Sequence, residues 1–162
     1  MQIDVGFGDV VVPGPQEAIL PTILDFPSPQ LIGYSLESAI AEKFEAMVKL
    51  GELNSRMKDF YDIWLLSRQF DFMGDQLKTA ISETLKNRGT NLPAEIASFS
   101  NSFLSMKSGQ WQAFHRRLRQ PNIPGDFAEI IRQVEIFLEP IVESIRSEKA
   151  TPSSWTAPGP WK

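Results

Sequence analysis

Four charged side chains stand where a helical pattern calls for apolar residues. The stretch AIAEKFEAMVKLGELNSRMKDFYDIWLL, residues 39–66, contains two helical repeats joined by a short turn. Lys43 falls within the apolar face of the first repeat. Arg56 and Asp59 fall on the apolar face of the second, with Asp62 at its border. Because an isolated buried charge is costly, these groups are predicted to pair with one another or to meet a charged ligand.

Two interpretations of this cluster differ in function. Two antiparallel helices joined by a short turn place their apolar faces together, so Lys43, Arg56, Asp59 and Asp62 are predicted to converge. One interpretation is a structural ion pair from Lys43 or Arg56 to Asp59 that fixes the two helices. The other is the charged floor of a pocket that binds phosphate and orients a metal. Four charges on two core faces are more than one structural ion pair needs, which favours the pocket.

The other polar groups of the two helices are expected to avoid the core. Glu42, Glu45 and Lys49 fall on the side of the first repeat opposite the apolar face. Lys58 and Tyr61 are expected to face away from the core side of the second repeat.

A further candidate lies in a predicted strand at the N-terminus. In QIDVGFGDVV, the apolar residues Ile3, Val5 and Phe7 alternate with Asp4 and two glycines. A strand face made of one aspartate and two glycines leaves space beside the carboxylate for a ligand or another backbone. The alternative is an ordinary aspartate on a solvent-facing strand; Asp9, which follows, is expected to be a turn residue.

The remaining pattern predicts an α+β fold, with a small N-terminal β portion followed by a mostly helical bundle. The proline-rich residues 13–29 are expected to form an extended connector with a short edge strand near Ile23–Leu24. Pro140 is expected to kink or break the last helix. Helices are predicted at about residues 35–49, 54–70, 75–87, 93–104, 108–119 and 125–146.

Three regions are predicted along the chain. Residues 1–34 form the strand-bearing portion and connector, and residues 35–148 form the helical bundle. Residues 149–162 form a Pro/Trp tail that packs on the body, because exposed indoles are costly.

Composition narrows the chemistry available. The chain has 162 residues, a formal charge of -4 and no cysteine, which excludes disulfides, thiolate metal sites and cysteine nucleophiles. No run of about 18 apolar residues occurs, so no membrane-spanning helix is predicted. His115 is the single histidine and is expected to be packed and hydrogen-bonded rather than to act as a ligand. A predicted helix C-terminus carries Arg116, Arg117 and Arg119, whose positive charge favours the helix dipole there. The alternative is that these arginines contact an RNA backbone.

Together, the motifs QIDVGFGD, PSPQLIGYSLESAIAEKFEAMV and NSRMKDFYDIWLL resemble the AbiEii/AbiGii toxin family of nucleotidyltransferase-like proteins. The motifs QWQAF, FLEP and WTAPGPW resemble C-terminal features of one subgroup. The resemblance covers essentially all of this chain but only the C-terminal portion of the family pattern. Family members normally begin with a strand–helix unit that carries a Gly-Ser or Gly-Gly-Thr turn and an Asp-x-Asp pair. Neither that unit nor any Asp-x-Asp occurs in these 162 residues.

The resemblance implies a role for each candidate residue. Asp4 matches the third, strand-borne carboxylate, which would bind metal and act on the attacking hydroxyl. Lys43 would contact the phosphates of a nucleotide as a point charge. Arg56, Asp59 and Asp62, together with Lys58, match the helix motif near the active site. Magnesium is expected only if the missing segment with its two carboxylates completes the site.

The resemblance also implies a biological setting. The protein is expected to be the C-terminal part of a toxin in a bacterial toxin–antitoxin or phage-defence system, inactive alone, in the cytoplasm. Its expected partners are a nucleoside triphosphate, an RNA acceptor and a cognate antitoxin, with no membrane. An open sheet edge would favour self-association. The alternative function is a non-enzymatic helical protein-interaction module with a structural Lys-Asp-Arg cluster.

Overall fold

The fold is taken from a computed structural model, which describes residues 8–19, 21–22, 25–147 and 149–162. Asp4 with the rest of its predicted strand, and the predicted edge strand at Ile23–Leu24, lie outside these residues. The described residues have the predicted α+β architecture, with five α-helices and two small antiparallel sheets. The strands are β1 (Gln16–Ile19), β2 (Gln30–Gly33), β3 (Phe72–Met73) and β4 (Ser154–Trp155). The helices are α1 (Leu36–Leu50), α2 (Met57–Gln69), α3 (Gly74–Asn87), α4 (Asn101–Leu118) and α5 (Phe127–Ser147).

The proline-rich connector is more ordered than the sequence suggested. It contributes β1 to a two-stranded antiparallel ribbon with β2, in which Gln16 pairs with Gly33 and Ile19 pairs with Gln30. The prolines fall between and around these strands, where their missing N–H groups cost no ladder bond. Within the predicted connector, residues 16–19 therefore form a strand whose partner, residues 30–33, follows the connector.

Helix α1 begins and ends at the residues that the pattern indicated. The Ser35 hydroxyl accepts a hydrogen bond from the backbone N–H of Ser38 at 3.1 Å, which caps the first turn. Gly51 ends the helix with a φ of 49°, a backbone conformation that glycine adopts without a side-chain clash. Ser38 also accepts a hydrogen bond from the N–H of Val12 at 2.8 Å, which ties the N-terminal loop to α1.

The helices enclose one aromatic and aliphatic core. Helix α5 packs against α2, α3 and α4, and α1 packs chiefly against α3. The largest fully buried aromatic side chains come from four different helices: Phe44, Phe60, Phe103, Trp111 and Phe137. None of the helices in the described part of the chain combines the length and apolar character needed to cross a bilayer.

Two helix boundaries differ from prediction. The two helices expected at residues 93–104 and 108–119 are one helix, α4, and residues 93–100 contain only a short 3₁₀ turn. The hydroxyls of Ser105 and Ser108 donate to the carbonyls of Asn101 and Ser105, respectively, and the helix continues through both serines.

Helix α5 runs continuously through Pro140, where a kink or break was predicted. Proline removes the bond to the carbonyl four residues earlier, which belongs to Ile136. Ile136 is an exposed residue, so that position lies at the solvent side of the helix.

The C-terminal tail packs across the corner between α2 and α3. Strand β4 pairs with β3, with Phe72 opposite Trp155. The indole N–H of Trp155 donates to the Ser67 carbonyl at 2.6 Å, and that of Trp161 donates to the Phe137 carbonyl at 2.8 Å. Both indoles therefore gain a hydrogen-bond partner together with aromatic packing against Phe137.

Gly74 provides a test of this tail contact. A Cβ at position 74 would lie 1.8 Å from the Pro152 carbonyl oxygen, so Gly74→Ala is expected to displace the tail. We expect a loss of about 1–3 kcal/mol in the free energy of unfolding and a red shift of tryptophan emission, measured by urea titration. The matched control is Gly109→Ala, because a Cβ there meets open space within a helix. It is expected to leave the tail in place and stabilise α4 slightly. Equal stability of the two variants would contradict the contact.

Candidate functional site

Lys43 lies between two carboxylates of the neighbouring helix. Its Nζ is 2.8 Å from Asp62 Oδ2 and 3.4 Å from Asp59 Oδ1. The Lys43 side chain is 23% exposed and the Asp59 side chain only 5%. The helical pattern placed these groups on facing sides of α1 and α2, and the structure brings them together there.

Asp59 is the most buried charge of this group. Arg56, at the N-cap of α2, places its Nε 2.8 Å from Asp59 Oδ2. The N–H is not directed at that oxygen, which has no hydrogen bond among the described residues despite the close ion pair. Asp59 also lies in the first turn of α2, where the helix dipole favours a negative charge. A buried carboxylate that keeps an unused acceptor is typical of a functional site as well as of a strained ion pair.

The outer part of the cluster is exposed. Lys58 Nζ lies 2.6 Å from Asp62 Oδ2, and the Lys58 side chain is 72% exposed. Arg56 is also mostly exposed, at 58% of its side chain. We call Lys43, Arg56, Lys58, Asp59 and Asp62 the charged cluster. It runs from a buried carboxylate to solvent-facing cations.

Two cavities meet at Arg56. One, of about 360 Å³, is lined by Tyr34, Ala39, Glu42, Lys43, Ala46, Arg56 and Arg88. The other, of about 710 Å³, lies between the start of α2 and the end of α4. It includes Arg56, Lys58 and Arg117 in its lining. We call the first the Lys43 cavity and the second the α2–α4 groove. Lys43 lines only the Lys43 cavity, and it is less exposed than Arg56, which lines both.

A second polar network, which sequence reasoning missed, shares the Lys43 cavity. Arg88 NH2 lies 3.2 Å from Asp9 Oδ1 and also pairs closely with Glu42, and its NH1 lies 3.8 Å from Glu45. The Tyr34 hydroxyl donates to Asp9 Oδ2 at 2.6 Å. We call these five residues the Arg88 network. The only hint in the sequence was the clustering of acids on the outer face of α1.

Two predictions about which side chains point away from the core were wrong. Glu45 was expected in solvent but is buried, because α3 covers that side of α1 and supplies Arg88 just beyond its end. Tyr61 was expected to face away but is buried against Trp64 and Phe114. Both helices pack against other elements on two sides. The apolar periodicity of a helix reveals only one of these sides.

Burial and hydrogen bonding shift two pKa values in the Arg88 network. Burial raises the pKa of the Glu42 carboxyl above its ordinary value, although Arg88 opposes that shift. The hydrogen bond to Asp9 raises the pKa of the Tyr34 hydroxyl, because the bond needs the hydroxyl proton. The phenol therefore remains neutral at physiological pH.

The described residues do not fit a magnesium site by themselves. No group of three or more histidine or carboxylate side chains with metal-binding spacing occurs among them. The nearest carboxylates of the cluster, Asp59 and Asp62, already face Lys43, Arg56 and Lys58, which would repel a divalent cation. Asp4, the predicted metal ligand and catalytic carboxylate, lies outside the described residues.

The basic end of α4 combines a packed histidine with three arginines at the helix C-terminus. His115 Nε2 is hydrogen-bonded to the Ile123 carbonyl at 3.0 Å and packs beside Trp111, as expected for a histidine that is not a ligand. Arg116 and Arg117 lie in the last turn of α4, and Arg119 follows as its C-cap, where positive charge favours the helix dipole.

Comparison with family models places the chain in a class of toxins. The family model for nucleotidyl transferase AbiEii toxins of type IV toxin–antitoxin systems matches residues 1–137 of the 162. The chain belongs to this AbiEii family. Membership indicates a nucleotidyltransferase-like toxin whose system includes an antitoxin partner. Comparisons with curated proteins and with solved structures gave no match.

The two lysines beside Asp62 provide a matched pair for measuring the cluster's stability. Lys43→Met leaves buried Asp59 without its ammonium partner, whereas Lys58→Met removes only a solvent-facing ion pair. We expect Lys43→Met to lower the free energy of unfolding by about 1–3 kcal/mol and Lys58→Met by less than about 0.5 kcal/mol. Urea unfolding at pH 7 measures both, and equal losses would show that Asp59 does not depend on Lys43.

The Glu42 shift predicts a pH dependence of stability. A raised pKa means that the folded protein holds the Glu42 proton more tightly than the unfolded chain. The resulting stabilisation is complete below the unfolded pKa and is lost as pH rises through the folded one. We therefore expect the stability of the natural protein, relative to Glu42→Gln, to fall as the pH rises above about 4. Asp9, Glu45, Tyr34 and Arg88 face the same carboxyl and are retained in both proteins. A difference that grows with pH in urea titrations would show that the Arg88 attraction dominates.

Proposed function

We propose that this chain is the C-terminal part of a nucleotidyltransferase-like toxin and that its charged cluster contacts a nucleotide. The observation that carries the proposal is the lining of the Lys43 cavity. Two cations of the charged cluster, Lys43 and Arg56, border it. Such a lining suits the phosphates of a nucleotide, which bring several negative charges in a short span.

The pairing within the cluster leaves donors for a ligand. An ammonium group has three N–H donors, and the two contacts of Lys43 to Asp59 and Asp62 leave one. A guanidinium has five, and Arg56 keeps most of its side chain exposed although its Nε lies 2.8 Å from Asp59 Oδ2. In this proposal Asp59 and Asp62 hold Lys43 in position, and Lys43 and Arg56 contact phosphate.

The same proposal makes this chain inactive by itself. Phosphoryl chemistry with two metal ions needs several carboxylates to hold the ions at the reacting phosphate. The 162 residues have no Asp-x-Asp pair, and Asp4 would supply one carboxylate only. Magnesium would bind only where further carboxylates complete the site. The proposed setting is a bacterial toxin–antitoxin or phage-defence system in the cytoplasm, with an RNA acceptor.

A non-enzymatic interaction module is the second candidate, and one observation favours it. The β1–β2 ribbon exposes several large apolar side chains to solvent, which is typical of a surface that meets a protein. They are Ile19, Leu31, Ile32 and the neighbouring Phe26. In this case the charged cluster would be structural only, and the exposed ribbon would support self-association or binding of the antitoxin.

Titration calorimetry with magnesium–nucleotide separates the two functions. We expect the natural protein to bind a nucleoside triphosphate and Lys43→Ala to weaken binding at least about 10-fold, because the phosphates lose a charge-assisted hydrogen bond. Lys49→Ala is the matched control, since Lys49 lies on the same helix, is exposed and lines neither cavity. A labelled-nucleotide assay is expected to show no transfer by this chain.

Two outcomes would contradict the proposal. Absence of nucleotide binding, with stability lost in Lys43→Ala, would identify the cluster as a structural ion pair. Robust nucleotide transfer by the 162-residue chain would show that the carboxylates present are sufficient.

A further inference from the structure

The Lys43 cavity has a second set of lining groups that phosphate binding does not use. Tyr34, Glu42 and Arg88 border the cavity and belong to the Arg88 network. Among the described residues, no hydrogen bond or ion pair joins this network to the charged cluster. The cavity is therefore lined by two separately built groups of side chains.

Tyr34 presents an aromatic surface whose position is fixed. It lies between the end of β2 and Ser35, the cap of α1, and is 50% exposed. Its hydroxyl is held by Asp9 at 2.6 Å, which anchors the far end of the ring. A half-exposed ring that is fixed before binding loses little conformational freedom when a flat ligand stacks on it.

Arg88 and Glu42 add a polar edge that is equally constrained. Three carboxylates, Asp9, Glu42 and Glu45, surround the Arg88 guanidinium and limit its rotation. Arg88 can donate hydrogen bonds and Glu42 can accept them, so the pair can meet a ligand edge with both acceptors and donors. Such an edge is a property of nucleobases and not of phosphates.

The floor and size of the cavity suit a flat group. Ala39 and Ala46, two turns apart on α1, contribute only methyl groups to the lining. The volume of about 360 Å³ falls within the range of small-molecule sites, roughly 300–1,000 Å³. Phosphate contacts at Lys43 and Arg56 account for only part of this lining.

We propose that Tyr34, Glu42 and Arg88 form the nucleoside side of the site, with the base stacked on the Tyr34 ring and its polar edge at Glu42 and Arg88. This inference rests on the proposed nucleotide function, and it assigns a specificity role to residues outside the charged cluster. Tyr34 contributes affinity for the base, whereas Lys43 contributes affinity for the phosphates. The two contributions are separable because they come from different networks.

The test compares a nucleotide with a ligand that has phosphates but no base. Calorimetry measures binding of ATP, CTP, GTP, UTP and inorganic tripolyphosphate, each with magnesium, to the full 162-residue chain. The natural protein is expected to bind at least one nucleotide more tightly than tripolyphosphate. Tyr34→Ala is expected to weaken that nucleotide roughly 5- to 100-fold and to leave tripolyphosphate unchanged, since stacking involves only the base. Lys43→Ala is expected to weaken both ligands.

Two further variants keep the test independent of folding. Tyr34→Phe retains the ring and is expected to keep most of the nucleotide affinity. Tyr34→Leu fills similar space without an aromatic face and is expected to behave like Tyr34→Ala. Thermal melts compare all variants with the natural protein, and Tyr34→Leu carries the test if Tyr34→Ala does not fold.

The outcomes distinguish the two proposals. Equal binding of nucleotide and tripolyphosphate, unaffected in the folded Tyr34 variants, would overturn the nucleoside side while the phosphate site stands. An equal loss of both ligands in Tyr34→Leu would also overturn it, because the ring would then act through the shape of the cavity. Failure of both ligands to bind the natural protein would overturn the proposed function and this inference with it.

Discussion

The buried carboxylate of Asp59 is the constraint on which the helix pair depends. A carboxylate with so little solvent is tolerated only if cations lie beside it, and Lys43 and Arg56 supply them from two different elements. This requirement fixes the rotation of α1 relative to the start of α2. A different rotation would leave Asp59 unpaired in the core. The geometry of the Lys43 cavity follows from the same pairing, because Lys43 reaches that cavity from the position that Asp59 and Asp62 impose.

Helices α1 and α2 were the most predictable part of the fold, because their signals lie in neighbouring residues of the sequence. Helix α1 has a serine cap, a glycine end and a clear apolar period, so its bounds and its Lys43-bearing face follow from neighbouring residues. The four charged residues that interrupt the apolar faces of α1 and α2 do lie on those faces in the structure. The pattern predicts that these groups meet, and it leaves their chemical role to be tested.

The features that sequence reasoning missed depend on distant partners. Glu45 is buried only because α3 covers the outer side of α1, and no local pattern records that contact. Arg88 follows the last residue of α3, and its partner Asp9 lies in a loop 79 residues earlier in the chain. The β1–β2 ribbon was hidden because proline-rich spacing masks strand periodicity. The gap predicted between residues 104 and 108 is absent, because the Ser105 and Ser108 side chains bond back to the helix and let it continue.

Pairing of the tail with β3 affects the order in which the fold is completed. Strand β4 joins β3 across about 80 residues of chain, with Trp155 opposite Phe72. Synthesis proceeds from the N-terminus, so the bundle can collapse well before its partner strand leaves the ribosome. Until then, the surface around Phe72 and Phe137 has no cover. A nascent or proteolytically trimmed form that lacks β4 would therefore expose apolar aromatic surface to chaperones or to other copies of the chain, and pairing of β4 with β3 covers that surface.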